Sequence, residues 1–185
     1  MLPLGTAAPD FTLPDTTGFT VTLADFADAK ALVMMMICNH CPYVKHIKAG
    51  LSTIAHDYRG RGVAFVAFNP NDPGVQPEDA VEHMRQDVKT FGYPFPYLVD
   101  ASQEVARALQ AACTPEFYVF GPTRRLVYRG QFDDSRPGNG VPVTGVDLRT
   151  TLDAVLAGQP VSTDQTPSLG CSIKWTPGRA PAWGR

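Results

Sequence analysis

Short, continuously apolar runs alternate along the 185-residue chain with longer segments that are apolar on one face only. The runs at residues 31–37 and 63–68 fit strands that are covered on both faces. Between these runs, apolar residues recur three or four positions apart, which predicts an amphipathic helix that ends near Gly60. The residues in this series are Tyr43, Ile47, Leu51, Ile54 and Tyr58.

The alternation continues toward the end of the sequence and predicts a helix, a strand, a short helix, a hairpin of two strands and a last helix. Their approximate positions are residues 81–91, 97–99, 103–112, 117–120, 126–128 and 148–156. The complete order is βαβαβαββα. This order predicts an α/β protein with a mixed central sheet and helices on both of its faces.

Two segments flank this α/β part of the chain. Alternating pieces at 10–13 and 19–23, joined by a turn at 15–18, predict an N-terminal β-hairpin. Residues 158–185 form a tail that is rich in proline and glycine. We therefore expect one domain over residues 1–157, hairpin included, with the tail packed on it.

The charge balance excludes several classes of partner. Sixteen Lys and Arg residues against eighteen Asp and Glu give a net charge of -2, which argues against nucleic acid and against a polybasic membrane anchor. The longest apolar run, at 31–38, is far shorter than the roughly 20 residues of a membrane span. The first eleven residues also lack the features of a secretory signal. We expect a cytoplasmic protein, in a compartment where thiols are kept reduced.

Two of the four cysteines lie between the first apolar strand and the first helix, in the sequence Cys38-Asn39-His40-Cys41-Pro42. The first turn of a helix offers unpaired N–H groups and a positive dipole, so we expect the pKa of the Cys38 thiol to be lowered there. Protonated His40 would favour the Cys38 thiolate further, which makes the pair more oxidising. Two intervening residues allow both sulfurs to close a disulfide.

A Cys-x-x-Cys motif after a buried strand resembles the thioredoxin superfamily. Residues 8–15 and 23–26 resemble the opening of its redoxin branch, which contains the alkyl hydroperoxide reductase and thiol-specific antioxidant proteins and the thioredoxin-like disulfide reductases. Residues 112–117 resemble the region around the cis-proline of that branch. The stretches at 38–44 and 170–175 are similar to a subgroup of uncharacterised thioredoxin family proteins.

This resemblance implies a thioredoxin-like fold and roles for several residues. Cys38 would be the attacking thiol and Cys41 the resolving thiol, with Pro115 as a cis-proline facing them. The backbone of Thr114 would pair with a peptide substrate. The candidate substrate-contacting residues are Thr114, Asn39 and Pro42, and His40 completes the catalytic set.

Some positions admit more than one interpretation. Cys113 and Cys171 could be inert thiols, a disulfide with each other, or a relay from Cys41. Thioredoxin-like reductases often hold a buried carboxylate that takes the proton of the resolving cysteine. The first strand here carries none, so Glu116 and Asp100 are either its substitutes or solvated surface acids. A structural zinc site needs about four ligands and no second Cys-x-x-Cys accompanies the first, so we expect no metal and no cofactor.

The function that these residues indicate first is thiol–disulfide exchange through a mixed disulfide, with protein or small-molecule disulfides as substrates and an external reductant. A thiol peroxidase is the second hypothesis. The Pro-x-x-x-Thr-x-x-Cys pattern of peroxiredoxins is missing, because Met34 and Cys38, or Ala31 and Met35, occupy the proline and threonine positions. The third hypothesis is a redox-sensing or metal-carrying module without catalysis.

Overall fold

A computed structural model describes residues 2–184, which contain nine strands and four α-helices. The strands are β1 (Thr12–Pro14), β2 (Thr20–Thr22), β3 (Ala31–Met36), β4 (Val63–Asn69), β5 (Tyr97–Val99), β6 (Cys113–Thr114), β7 (Glu116–Phe120), β8 (Leu126–Gly130) and β9 (Cys171–Ser172). The helices are α1 (Pro42–Tyr58), α2 (Val81–Phe91), α3 (Glu104–Ala108) and α4 (Val146–Leu156). Single turns of 3₁₀ helix lie at Leu23–Phe26, Pro77–Asp79 and Ala182–Gly184.

The central sheet has five strands in the order β5-β4-β3-β7-β8. Strand β3 runs parallel to β4 and antiparallel to β7, and β8 completes a hairpin with β7. The mixed sheet and the βαβαβαββα order predicted from the sequence are therefore confirmed.

Strand β3 is central because both of its faces are covered, and all six of its residues are fully buried. Val33 and Met35 belong to the cluster formed with α1 and α4. Leu32 and Met34 belong to the opposite cluster, which includes α3 and part of the tail. Helices thus cover both faces of the sheet, as the unbroken apolar run predicted.

Helix α1 begins at Pro42, whose missing N–H group costs nothing in the first turn. Ile47, Leu51 and Ile54 bury the apolar face that the sequence predicted. The helix ends at Tyr58, and Gly60 follows with a φ of +79°. This helix fixes Cys41 at its N-cap, next to the end of β3.

The structure corrects two predicted elements. The helix expected over 103–112 is limited to Glu104–Ala108, since Gln103 and Gln110 both adopt positive φ values, of 62° and 51°. The N-terminal hairpin forms as predicted, but its first strand begins at Thr12. Strands β6 and β9 are an addition: they pair antiparallel with each other across almost sixty residues of intervening chain.

In the part of the chain that the structure describes, the helices are too short or too polar for any of them to cross a bilayer.

Candidate active site

The Cys-x-x-Cys motif lies at the carboxyl edge of β3, where the chain turns into α1. Cys38 follows the strand by two residues and Cys41 is the N-cap residue of α1. Both are free thiols, and they are only 1% and 0% exposed. Neither sulfur is therefore accessible to solvent in this arrangement of the chain.

The loop before β7 supplies the nearest contacts of both sulfurs. The Thr114–Pro115 peptide bond is cis, the isomer that the resemblance implied. The Cys38 Sγ lies 3.0 Å from the Thr114 hydroxyl oxygen, and the Cys41 Sγ lies 3.2 Å from the Thr114 carbonyl oxygen. The two sulfurs are near enough for each to shift the pKa of the other. The structure thus brings Cys38, Cys41, Thr114 and Pro115 into one site.

The two thiols differ sharply in acidity. Burial, the hydrogen bond with Cys41 and the negative charge of Asp79 raise the pKa of Cys38 far above its usual range. The hydrogen bond from Cys38 lowers the pKa of Cys41 to about 4 against the effect of burial, and Cys171 adds to this lowering. The predicted lowering of the Cys38 pKa is therefore wrong, because Cys41 rather than Cys38 occupies the N-cap and receives the hydrogen bonds.

A buried carboxylate that the sequence analysis missed lies beside Cys38. Asp79, in the turn before α2, is 3% exposed and accepts the backbone N–H groups of Asn39 and His40 at 2.7 and 3.1 Å. It also bonds the His40 Nδ1 and the Asn71 side-chain amide, each at 2.6 Å. His40 therefore faces a carboxylate. Since β3 and β4 are parallel, an acidic residue in the loop after β4 was the signal that could have identified Asp79.

The donor atoms around Asp79 could also hold a metal ion. One ligand atom from each of Cys38, His40 and Asp79 lies within 4.8 Å of the others. Both oxygens of Asp79 already accept two hydrogen bonds each, and Cys38 already contacts Cys41 and Thr114. A metal ion would have to displace several of these bonds.

Asn39 and Pro42, two of the predicted substrate-contacting residues, differ in exposure. The Asn39 side chain is directed into the protein, where it donates to Asp87 at 2.8 Å and accepts from the Tyr97 hydroxyl at 3.1 Å. Its side chain therefore supports the loop instead of facing a substrate. Pro42 is exposed on the first turn of α1.

Glu116 and Asp100 do not act as the carboxylate of the dithiol. Glu116 forms a buried ion pair with Arg129 at 2.7 Å and accepts the Ala112 N–H group. Asp100 is fully buried and accepts the Ala106 N–H group at 2.9 Å. Both carboxylates are therefore engaged in the structure of neighbouring loops, and Asp79 takes the place beside Cys38.

The other two cysteines have different partners. Cys171 lies on β9, opposite Thr114, and it contributes to the lowering of the Cys41 pKa. Cys113 lies opposite Ser172, and its sulfur is 3.8 Å from the Pro115 carbonyl oxygen. Burial raises the pKa of Cys113 to about 12. Cys171 is thus the third thiol of the site, and it also occupies the Thr114 edge that was expected to receive a peptide substrate.

A sequence model of the AhpC/TSA family matches residues 4–129, which is more than half of the chain. The chain belongs to the AhpC/TSA family. Two proteins of Mycobacterium tuberculosis, both named as candidate peroxiredoxins, are 31% identical to it over 128 residues, which cover 69% of this chain and 75% of theirs.

Solved structures extend the comparison beyond the AhpC/TSA match. A hypothetical protein from Sinorhizobium meliloti is 54% identical, with a TM-score of 0.95 over 96% of this chain and 97% of that protein. A candidate thioredoxin from Neisseria meningitidis is 25% identical, with a TM-score of 0.62 over 85% of this chain and 91% of that one. The fold is thioredoxin-like, and the chain is a redoxin of the thioredoxin superfamily, as the sequence predicted. Thiol oxidoreductase chemistry is the function class that this membership supports.

Proposed function

We propose that the protein is a thiol–disulfide oxidoreductase that uses Cys38 and Cys41 as its dithiol. The observation that carries the proposal is that both sulfurs contact Thr114, beside cis-Pro115, at 3.0 and 3.2 Å. Two thiols held on the same residue at Cys-x-x-Cys spacing can form one disulfide bond without a large movement of the backbone. Membership in the redoxin branch supports the same chemistry.

The lowered pKa of Cys41 suggests how Cys38 is activated. Transfer of a proton from the Cys38 thiol to a Cys41 thiolate produces a Cys38 thiolate and a Cys41 thiol, and that thiol can donate to the Thr114 carbonyl oxygen. Cys38 then attacks one sulfur of a substrate disulfide and forms a mixed disulfide, and the other substrate sulfur leaves as a thiolate. The substrate bond breaks as the bond to Cys38 forms.

The second step closes the disulfide within the motif. Cys41 loses its proton and attacks the Cys38 sulfur, which expels the second substrate sulfur as a thiolate. Asp79 and His40 offer a path for the released protons, because the carboxylate lies beside Cys38 and the His40 side chain is 13% exposed. The substrate gains two electrons and leaves as two thiolates, while the dithiol loses two electrons and its one sulfur-bound proton; the second proton that the products take up at neutral pH comes from solvent.

The surroundings of Thr114 favour small disulfides over folded proteins as substrates. In thioredoxin-like folds, a peptide substrate is expected to pair with this backbone, but β9 is already paired with it. A small disulfide needs only a narrow opening beside β9 to reach the buried Cys38 sulfur, whereas a peptide would have to displace the strand. In a reducing compartment such as the cytoplasm, we expect the exchange to run toward reduction of the substrate.

Reduction of a small disulfide by the full chain, with dithiothreitol as the electron source, tests this proposal. We expect turnover with hydroxyethyl disulfide and slower turnover with insulin. Removing the attacking sulfur in Cys38→Ser should lower the rate by about a thousandfold. Cys41→Ser should accumulate a mixed disulfide on Cys38, detectable by mass. Undiminished turnover in both variants would contradict the dithiol mechanism.

A thiol peroxidase is the second candidate, and one contact favours it. The Thr114 hydroxyl lies 3.0 Å from the Cys38 sulfur, so a hydroxyl group stands beside this thiol although the sequence pattern of peroxiredoxins is missing. A thiolate would break the peroxide O–O bond, form a sulfenic acid and release an alcohol or water, and a second thiol would displace water to form the disulfide. Peroxide consumption that survives in Thr114→Val but fails in Cys38→Ser would remove the role of the hydroxyl.

A further inference from the structure

The C-terminal tail is held against the dithiol by several independent contacts. Strand β9 pairs with β6, which places Cys171 opposite Thr114. Further along, the Lys174 N–H group donates to Asn71 at 2.8 Å, and Trp175 is buried against the sheet. A Cβ at Gly170 would overlap the Thr114 carbonyl oxygen and lie 2.6 Å from its carbonyl carbon. Only glycine allows this close approach of two backbones.

Within this arrangement, Cys171 lies at the Cys41 end of the dithiol. It is the register partner of Thr114, whose carbonyl oxygen lies 3.2 Å from the Cys41 sulfur. Cys113 lies close by, but its sulfur is directed to the carbonyl oxygens of Pro115 and Ser168. The Cys41 sulfur therefore has two neighbouring thiols that lower its pKa, those of Cys38 and Cys171.

Exposure differs along this series of sulfurs. Cys38 and Cys41 are 1% and 0% exposed, whereas Cys171 is partly exposed on the tail. An external thiol can reduce a disulfide only if it reaches one of the two sulfurs in line with the bond. Both sulfurs of a Cys38–Cys41 disulfide are buried and are reached only when the tail opens, whereas a disulfide that includes Cys171 has a partly exposed sulfur without that movement.

We propose that Cys171 is a third redox-active thiol of this site, which carries the disulfide from the buried dithiol to a position where an external reductant can attack it. The inference rests on the proposed function, because it begins from the oxidised Cys38–Cys41 pair. It adds a residue outside the motif and a route by which the site is regenerated.

The exchange conserves electrons. The Cys171 thiolate attacks the Cys41 sulfur of the Cys38–Cys41 disulfide, the Cys41–Cys171 bond forms, and Cys38 leaves as a thiolate that takes up the proton lost by Cys171. An external dithiol then attacks Cys171, is itself oxidised to a disulfide, and returns both sulfurs to the reduced state. No other oxidant or reductant is needed.

The charge state of Cys41 would favour this direction. In the reduced site, burial together with the hydrogen bond and charge of Cys41 raises the pKa of Cys171 to about 11, while Lys174 opposes the rise. When Cys41 is in a disulfide it carries no charge, so its contribution disappears and that of Lys174 remains. Cys171 therefore becomes a better nucleophile when there is a disulfide to attack.

Disulfide mapping of the full-length protein tests the proposal. The protein is equilibrated in oxidised and reduced dithiothreitol, quenched in acid, alkylated and mapped without reduction. We expect the populations of the Cys38–Cys41 and Cys41–Cys171 disulfides to lie within about tenfold of each other. Moving the disulfide within one site only replaces one S–S bond with another. Cys171→Ser should leave only Cys38–Cys41, and its reduction by external dithiothreitol should slow by about tenfold or more.

Cys113→Ser is the matched control, since it removes a nearby thiol that does not contact Cys41. It should leave both the disulfide distribution and the reduction rate unchanged. Cys171→Ala repeats the test without a hydroxyl, and near-ultraviolet circular dichroism checks that each variant keeps its fold.

The outcomes separate the two proposals. A Cys38–Cys41 disulfide with Cys171 free at every potential would overturn the third-thiol inference and leave the dithiol intact. A Cys113–Cys171 disulfide in place of Cys41–Cys171 would also overturn it. Formation of Cys41–Cys171 without any Cys38–Cys41 would support the redox role of Cys171 and overturn the proposed dithiol.

Discussion

The two sulfurs of the Cys-x-x-Cys motif face two different regions of the molecule. On the Cys38 side is the turn that carries Asp79, a buried carboxylate held by backbone N–H groups and side chains. On the Cys41 side are the start of α1 and the C-terminal strand with Cys171. Burial, with a smaller effect of the Asp79 charge, raises the pKa of Cys38, whereas Cys38 and, to a smaller extent, Cys171 and the backbone of Val44 lower the pKa of Cys41. Two chemically identical groups therefore acquire opposite acidities.

This difference shows that the position of a cysteine in its motif does not by itself decide which sulfur is charged. Helix geometry favours an anion at the N-cap, and here that residue is Cys41. The tail strengthens the preference with a second thiol donor, and Asp79 opposes a charge on Cys38. In the reduced site, we expect one proton to be shared between the two sulfurs, with the anion on Cys41.

The largest expected effect is the change in the charge of the Cys41 sulfur with pH. The Cys41 pKa is lowered to about 4, so the reduced protein should show a thiolate absorbance that is lost as pH falls through this value. Because the folded pKa is below the unfolded value of about 8.5, the thiolate stabilises the folded state fully above that pH and not at all below the folded pKa.

Unfolding of wild type and Cys41→Ser by urea, compared at several pH values under reducing conditions, measures this contribution. The difference between them should shrink steadily as the solution is acidified. If the thiolate absorbance at low pH were lost in Cys38→Ser but kept in Cys41→Ser, our assignment of the charge to Cys41 would be reversed.

The next effect comes from displacing the tail. In Gly170→Ala the new methyl group overlaps the backbone of Thr114, so β9 should separate from β6. We expect alkylation of the reduced dithiol by iodoacetamide to accelerate by about tenfold or more, since access controls the reaction of buried thiols. The rate at each cysteine is measured by mass spectrometry of the digested protein.

Gly121→Ala is the control for this substitution, because a Cβ there makes only an ordinary contact of 3.6 Å with Val127. Its alkylation rates should match those of the wild type. If Gly170→Ala also matched the wild type, the tail would not be what shields the sulfurs.

The smallest effect is expected from removing the negative charge of Asp79. Asp79→Asn removes the negative charge beside Cys38 while keeping the size of the side chain, so the pKa of Cys38 should fall and its alkylation should rise by a few fold, about two to five. The lost hydrogen bonds should also lower the free energy of unfolding by about 1–3 kcal/mol. Both quantities are measured on the reduced protein.

Glu78→Gln removes the same charge from the neighbouring, exposed position and serves as the control. It should change neither the Cys38 alkylation rate nor the stability by a measurable amount. An Asp79→Asn variant with unchanged Cys38 reactivity would mean that burial alone sets the pKa of this thiol.

Much of this architecture was predictable because it depends on local patterns. The apolar run at β3 and the helical spacing after it set a strand-to-helix junction, and the motif falls inside that junction. Pro42 then leaves Cys41 as the N-cap residue. Family resemblance identified the loop with cis-Pro115, which spacing alone does not reveal.

The surroundings of the sulfurs were not predictable in the same way. Asp79 lies in an irregular loop, where no hydrophobic period marks which acidic residue is turned inward. Strand β9 has two residues, too few to produce an alternating pattern, and its partner β6 is equally short. Both features depend on contacts between segments far apart in the sequence, and these contacts decide the acidity of the dithiol.

The most direct test of the central claim is a redox titration of the full chain in which the free thiols of all four cysteines are counted at each potential. We expect a reversible two-electron transition in which one disulfide forms among Cys38, Cys41 and Cys171 while Cys113 stays free. Persistence of both Cys38 and Cys41 as thiols under oxidising conditions that form disulfides in thioredoxin would contradict it.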